Sequence, residues 1–283
     1  MRFTSNGNNS WLFQKGYYHE FRWADKKDDD YAPGFFKTRL DQLKSVGLTQ
    51  VPRLEETTPV RLKVLYPGLV TGIGVKHEST STGELKLGFE FDYSTGMPVI
   101  RGHSLKGALR SAFPQDHRRK IRYKLEKAFQ ISCWLNNEQF SSDGLNRFKA
   151  NPEQYHKIVA FEEEIFDGKI EGKLISNYRQ DVFLDSYISA PSHFPTTFNQ
   201  YLGGDSITPH VKREMSYERS MLKNPVPIMF LKMLPGVELE FRFILHENGL
   251  LSMEQKNDLL TKILVQNGIG AKTNVGYGQL DSD

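Results

Sequence analysis

The chain has a single cysteine, Cys133, in 283 residues. A lone thiol excludes an internal disulfide framework and a cysteine-rich zinc site. No stretch is apolar enough to cross a membrane and no leader pattern opens the chain, so a soluble cytoplasmic protein with no membrane partner is expected. An excess of one charge is also missing: 37 Lys and Arg stand against 34 Asp and Glu, a formal net charge of +3. The chain as a whole therefore carries no nucleic-acid signature, and any surface for a polyanion has to be a local patch. The Walker pattern is absent, and no dinucleotide fingerprint follows a strand-like run, so no cofactor is expected. With 38% hydrophobic and 25% charged residues, the composition suits one large domain, or one domain with insertions, and excludes wholesale disorder.

What is present concentrates near the end. Residues 265–279 read VQNGIGAKTNVGYGQ, with Gly268, Gly270, Gly276 and Gly278 inside eleven positions. Leu259, Leu260, Ile263 and Leu264 before them have helical spacing, Ser252 with Gln255 offers a capping box, and Asn267-Gly268 a stop. A short strand is expected between Val275 and Leu280. Glycines at this density let a backbone approach a ligand and leave amides free to point at it. Lys272 adds a positive charge, Thr273 and Asn274 add neutral hydrogen-bonding groups, and Tyr277 adds either a stacking face or a core anchor. The loop suits a polyanion or is a tight turn with one exposed lysine.

A second motif spans residues 97–110, MPVIRGHSLKGALR. Ser104 is placed to cap a helix whose apolar face holds Leu105, Ala108, Leu109 and Ala112. Lys106 and Arg110 share a face in its first turns, where cations and free amides favour phosphate; a plain solvent face is the alternative. Asp205-Ser206-Ile207-Thr208-Pro209-His210-Val211-Lys212-Arg213 forms a third, polar and basic cluster, and Asn224-Pro225-Val226-Pro227-Ile228 a fourth. The basic run Arg118–Lys124 either touches nucleic acid or is an exposed helix face. Glu162, Glu163 and Glu164 point around a helix expected over Tyr155–Phe166, so they do not converge on a metal. His77 follows Gly72-Ile73-Gly74 and lacks a partner cluster. Asp205 with His210 makes too small a ligand set for a metal.

These motifs together resemble the RAMP superfamily, the repeat-associated RNA-binding proteins of CRISPR systems. Gly268–Gly278 is similar to the superfamily's C-terminal glycine-rich loop. Arg101–Arg110 is similar to its Pro-Gly-Ser-Ser-Leu-Lys-Gly-x-x-Arg helix entry, from which Arg101 and His103 depart. Residues 165–187 resemble its mid-domain passage, with Ser186 where the pattern has alanine. The Thr208-Pro209-His210 and Asn224-Pro225 passages resemble those of the sixth Cmr subunit of type III-B effectors. The resemblance covers residues 60–283. It implies a noncatalytic, crRNA-binding subunit in antiviral defence. Such a subunit holds the 3′ part of the guide next to backbone and small subunits, with target RNA as a further partner. Lys106, Arg110 and Lys272 are the first choices for phosphate, with Thr273 and Asn274 beside Lys272, and Lys212 and Arg213 the second. Related RAMP proteins cleave guide precursor or target RNA, so an endoribonuclease using His77, His103, His210 or Asp205 is the alternative. A purely structural protein is the third reading.

Val60–Tyr66 and Val237–Leu245 alternate as half-buried strands. With a helix after each, they predict an α+β, ferredoxin-like domain over residues 60–283, with insertions near 114–180 and 187–224. Residues 1–59 form an extension crowded with aromatics from Trp11 to Phe36. It is expected to pack either on its own domain or on a neighbouring subunit.

Overall fold

The computed structural model describes residues 8–23, 31–45, 57–71, 77, 81, 83–87, 89–114, 121–189, 200–208 and 227–282. Its organising element is an antiparallel sheet built on β1 (Thr58–Val64) and β10 (Glu238–Ile244). Val60, Leu62, Val64, Val237, Leu239, Phe241, Phe243 and Leu245 all point into the core, as strand alternation requires. The opposite face of β10 is covered as well. Glu240 and Arg242 are buried there, paired with each other at 2.8 Å, and Arg61 reaches Glu240 at 3.1 Å. The expected solvent face of this strand is thus an ion-paired second layer. Tyr66, expected to continue β1, lies beyond its end and is 85% exposed.

β7 (Ser186–Ile188) and β11 (Leu280–Asp281) complete the order β11–β1–β10–β7, with β3 (Val99–Ile100) on the far edge and β6 (Val182–Phe183) pairing with β10. α3 (Gly102–Arg110) connects β1 to β7, and α7 (Met253–Asn267) connects β10 to β11. This is the βαββαβ arrangement of a ferredoxin-like domain, in which the fourth strand flanks the first. The domain boundary expected at residue 59/60 falls inside β1.

α4 (Ile121–Asn136), α5 (Ser142–Lys149) and α6 (Pro152–Glu162) form the first insertion. Ser141 caps α5 by accepting from the Gly144 amide, and Asn151 caps α6, with Pro152 at its first position. α6 widens into a π-helical turn, Glu163–Asp167, before the hairpin of β4 (Lys169–Ile170) and β5 (Lys173–Leu174). Glu164 is carried inward there, to a buried ion cluster with Lys256 (2.7 Å) and, through Lys256, Asp181 (2.8 Å). The three consecutive glutamates diverge as expected: Glu162 reaches Arg110 and Glu164 reaches Lys256.

A smaller sheet, β2 (Leu85–Leu87), β9 (Ile228–Met233) and β8 (Leu202–Ile207), carries the N-terminal segment. α1 (Asn9–Gln14) and α2 (Tyr31–Ser45) pack on this part of the domain. Phe13, Tyr17 and Phe36 are buried, each contributing about 1.5–3 kcal/mol. Of the two alternatives for the aromatic extension, this chain shows packing on its own domain.

Candidate nucleic-acid interface

α7 begins with the expected capping box of Ser252 and Gln255 and ends where the Gly268 amide donates to the Leu264 carbonyl. The chain then folds onto the segment that follows β1. Val70 bridges Ala271, and the Gly278 amide donates to Gly68 O at 2.8 Å. Gly268, Gly270, Gly276 and Gly278 all have positive φ, between 67° and 96°. A Cβ at Gly270 would collide with Val70 O, and one at Gly278 with Ile269 O. These glycines answer to close approach of the protein's own backbone.

The expectation of open amides is corrected for much of the loop by the same contacts. The amides of Gly268, Ile269, Ala271, Val275, Gly276, Tyr277 and Gly278 all donate to main-chain carbonyls. The expected strand from Val275 is a 3-10 turn, Thr273–Val275, and strand pairing starts only at Leu280. What the loop offers outward is a rigid tip. Lys272 stands in the left-handed region at φ 62°, its Nζ 5.8 Å from the Phe230 ring centroid, followed by half-buried Thr273, exposed Asn274 and Val275.

Tyr277 is an anchor. It is 8% exposed, lies edge-on to Phe230, and donates its hydroxyl to Asp205 at 2.8 Å. Burial first, and then the Asp205 carboxylate, push its pKa up to about 12. Asp205 also accepts from Lys232 (2.6 Å) and the Ser206 amide. Burial raises the Asp205 pKa, but those hydrogen bonds outweigh it and leave the carboxyl below its ordinary value. Beside the loop, the exposed ring of Tyr66 projects from the 65–68 turn, whose Leu65 amide donates to Gln279 O. Sequence reasoning missed Tyr66 because strand alternation assigned it to the core.

α3 departs from its expected cap. Arg101, not Ser104, occupies the N-cap and makes no side-chain capping bond. The Gly102 amide donates instead to Asp185 Oδ1 (2.8 Å), and Arg101 is paired with Asp185 and Glu90. The two cations of this helix also separate. Arg110 is clamped bidentately by Asp167 (2.7 and 2.8 Å) and contacts Glu162 at 3.2 Å. Its pKa is raised, most strongly by the Asp167 hydrogen bonds. Lys106 lies 5.7 Å from the Phe183 ring centroid. Both face β6 and the first insertion. The opposite flank, with Ser104 and Ala108, meets Ile269 and Gly270 around a cavity of about 140 Å³. The glycine-rich loop and α3 are thus neighbours through the Ser104–Ala108 flank, while Lys106 stands over Phe183 and Lys272 over Phe230.

A family model described as "RAMP superfamily" matches residues 61–281. The chain belongs to the RAMP superfamily. No curated relative matches it. Among solved structures, one chain of a type III-B Cmr-beta complex bound to cognate target RNA is 19% identical, with a TM-score of 0.47 over 90% of this chain. This chain spans 65% of that one's length. Cmr6 from Pyrococcus furiosus is 20% identical, with a TM-score of 0.41, covering 80% of this chain and 98% of Cmr6. A chain of a type III-A Csm–crRNA–target RNA complex is 16% identical, with a TM-score of 0.26 over 64% of this chain and 50% of that one.

In this RAMP domain two of the candidate catalytic groups, His77 and Asp205, have structural partners. His77 is buried, with Nδ1 2.8 Å from Leu85 O and Nε2 2.9 Å from Phe13 O, and burial pulls its pKa down. Asp205 serves Tyr277 and Lys232, and His103 lies exposed on α3. Among the described residues no three His, Cys, Asp or Glu side chains group to hold a metal, and no helix is long and apolar enough to cross a membrane. The Gly72–Gly74 segment, His210, Lys212, Arg213 and Asn224-Pro225 lie outside the described residues, as does the basic run at 118–120.

Proposed function

We propose that this RAMP protein is a noncatalytic RNA-binding subunit of a type III-B CRISPR effector complex in the cytoplasm. It holds the 3′ part of the crRNA and packs against adjoining backbone and small subunits. The observation that carries this reading is the family model over residues 61–281, joined to a loop whose main chain is fixed from within. A rigid tip bearing Lys272, Thr273 and Asn274 is suited to phosphate and 2′-hydroxyl oxygens. The exposed Tyr66 ring beside it supplies a stacking surface. Lys106 makes a second contact on the other flank of α3, Lys212 and Arg213 remain candidates, and Arg110 serves as a brace. Guide–target pairing supplies sequence specificity in such a complex, so the subunit needs no catalytic group.

The test is ultraviolet crosslinking of the reconstituted complex, read by mass spectrometry. Guide adducts on peptides containing Tyr66 or Lys272 are expected. Adducts confined to other subunits would overturn the reading.

A further inference from the structure

On the inner side of the loop tip, α4, the end of α7 and the loop enclose an open cleft of about 410 Å³. That size falls in the range of about 300–1,000 Å³ that holds small organic ligands. Its lining includes five carboxamide residues, Gln130, Gln266, Asn267, Asn274 and Gln279, together with Trp134. Lys127 is the charged group in the lining, and its ammonium is committed to the Ser111 and Phe113 carbonyls just past α3. The cleft therefore carries one positive charge whose donors are already engaged, and is otherwise dense in neutral donors and acceptors.

We propose that this cleft binds one unstacked nucleobase of single-stranded RNA and reads its edge through the amides. The inference rests on the RNA-binding reading above and deepens it. A neutral amide set gains little from phosphate, whose partner of choice is a cation. Each carboxamide presents a donor and an acceptor side by side, which matches the hydrogen-bonding edge of a base. Bases splayed from single strands are recognised by such edge contacts together with an aromatic wall, here Trp134. Thr273 and Asn274 line the cleft, and Lys272 immediately precedes them on the tip. A nucleotide whose base enters the cleft leaves its sugar and phosphate beside the tip residues Thr273 and Asn274. The consequence is a base preference at one position of an RNA otherwise held by its backbone.

The full-length chain is titrated by fluorescence anisotropy with labelled rA, rU and rC oligonucleotides of equal length. Wild type is expected to discriminate between best and worst by about fivefold or more. Asn267→Ala/Gln279→Ala is expected to bind all three alike, with an unchanged salt slope. Gln130→Ala, on α4, repeats the measurement should the first pair fold poorly. Photo-crosslinking of 5-iodouridine RNA is expected to mark the Trp134 peptide. Equal wild-type affinities, discrimination surviving in a folded variant, or adducts only outside the cleft overturn the proposal and leave the RNA-binding reading standing. The same holds if the variants weaken only assembly with a neighbouring subunit. Failure to bind any of the three RNAs defeats both.

Discussion

The Tyr277 hydroxyl donates to Asp205 Oδ2 at 2.8 Å, tying the glycine-rich loop to β8 across 72 positions of sequence. Lys232 on β9 holds the same oxygen at 2.6 Å. The loop is therefore a fixed extension of the small sheet, and its outward side chains start from a defined position.

Tyr277→Phe is expected to lose about 1.5–3 kcal/mol at neutral pH, the scale of a hydrogen bond to a charged group. The Asp205 carboxyl has a depressed folded pKa, so its contribution is complete above about pH 4 and is lost as pH falls through the lower folded value. The raised Tyr277 pKa adds stability that is complete below about pH 10 and is lost as pH rises towards about 12. Urea unfolding of wild type and variant at pH 3, 7 and 9 checks this. A constant gap at all three pH values would contradict it.

Gly278→Ala places a Cβ against Ile269 O at φ 73°, and Gly270→Val collides with Val70 O at φ 96°. Each is expected to destabilise the chain by more than about 1 kcal/mol and to disorder the tip. A melting temperature within a degree of wild type for both would show that the loop is not braced as described.

Lys272 and Arg110 are expected to behave oppositely. Lys272→Ala should weaken all RNA sequences alike and lower the salt slope by about 0.7–1, with stability unchanged. Arg110→Ala removes the clamp on Asp167 and the contact to Glu162, and is expected to lower stability by about 1–3 kcal/mol with the slope kept. A salt series on the reconstituted complex, paired with thermal melts, separates them.

Lys256→Met removes the cation shared by Glu164, Asp181 and the His246 carbonyl, all at 2.7–2.8 Å. Two buried carboxylates then lose their cation, Asp181 keeping the His246 amide, and a loss of about 3–5 kcal/mol is expected. Adding Glu164→Gln to Lys256→Met should recover part of it. Equal stability of the single and double variants would argue against the cluster.

The isolated chain is expected to cleave neither guide nor target RNA. Its best-placed acid–base groups, His77 and Asp205, are occupied by main-chain carbonyls and by Tyr277 and Lys232. Cleavage on a denaturing gel that requires a divalent ion and disappears in Asp205→Ala would reverse this expectation.

What the sequence determined by itself is what local backbone geometry writes into it. The period-2 pattern from Val237 to Leu245 names the core face of β10, and Ser252 with Gln255 marks the start of α7, because both signals reside within a few residues. The family motifs likewise locate the loop and α3. Pairing over long distances was decided only by the tertiary structure. Lys106 and Arg110 look alike in a helical repeat, yet Asp167, 57 positions away, claims Arg110. Glu240 and Arg242 read as a solvent face, yet they are buried with Arg61 alongside. The loop amides read as open, yet Leu264, Val70, Gly68 and the loop's own carbonyls take most of them. The amide cleft joins α4, α7 and the loop, residues that no single window contains. A side chain's type sets what it can bond, but only the packing of distant segments decides which partner reaches it first.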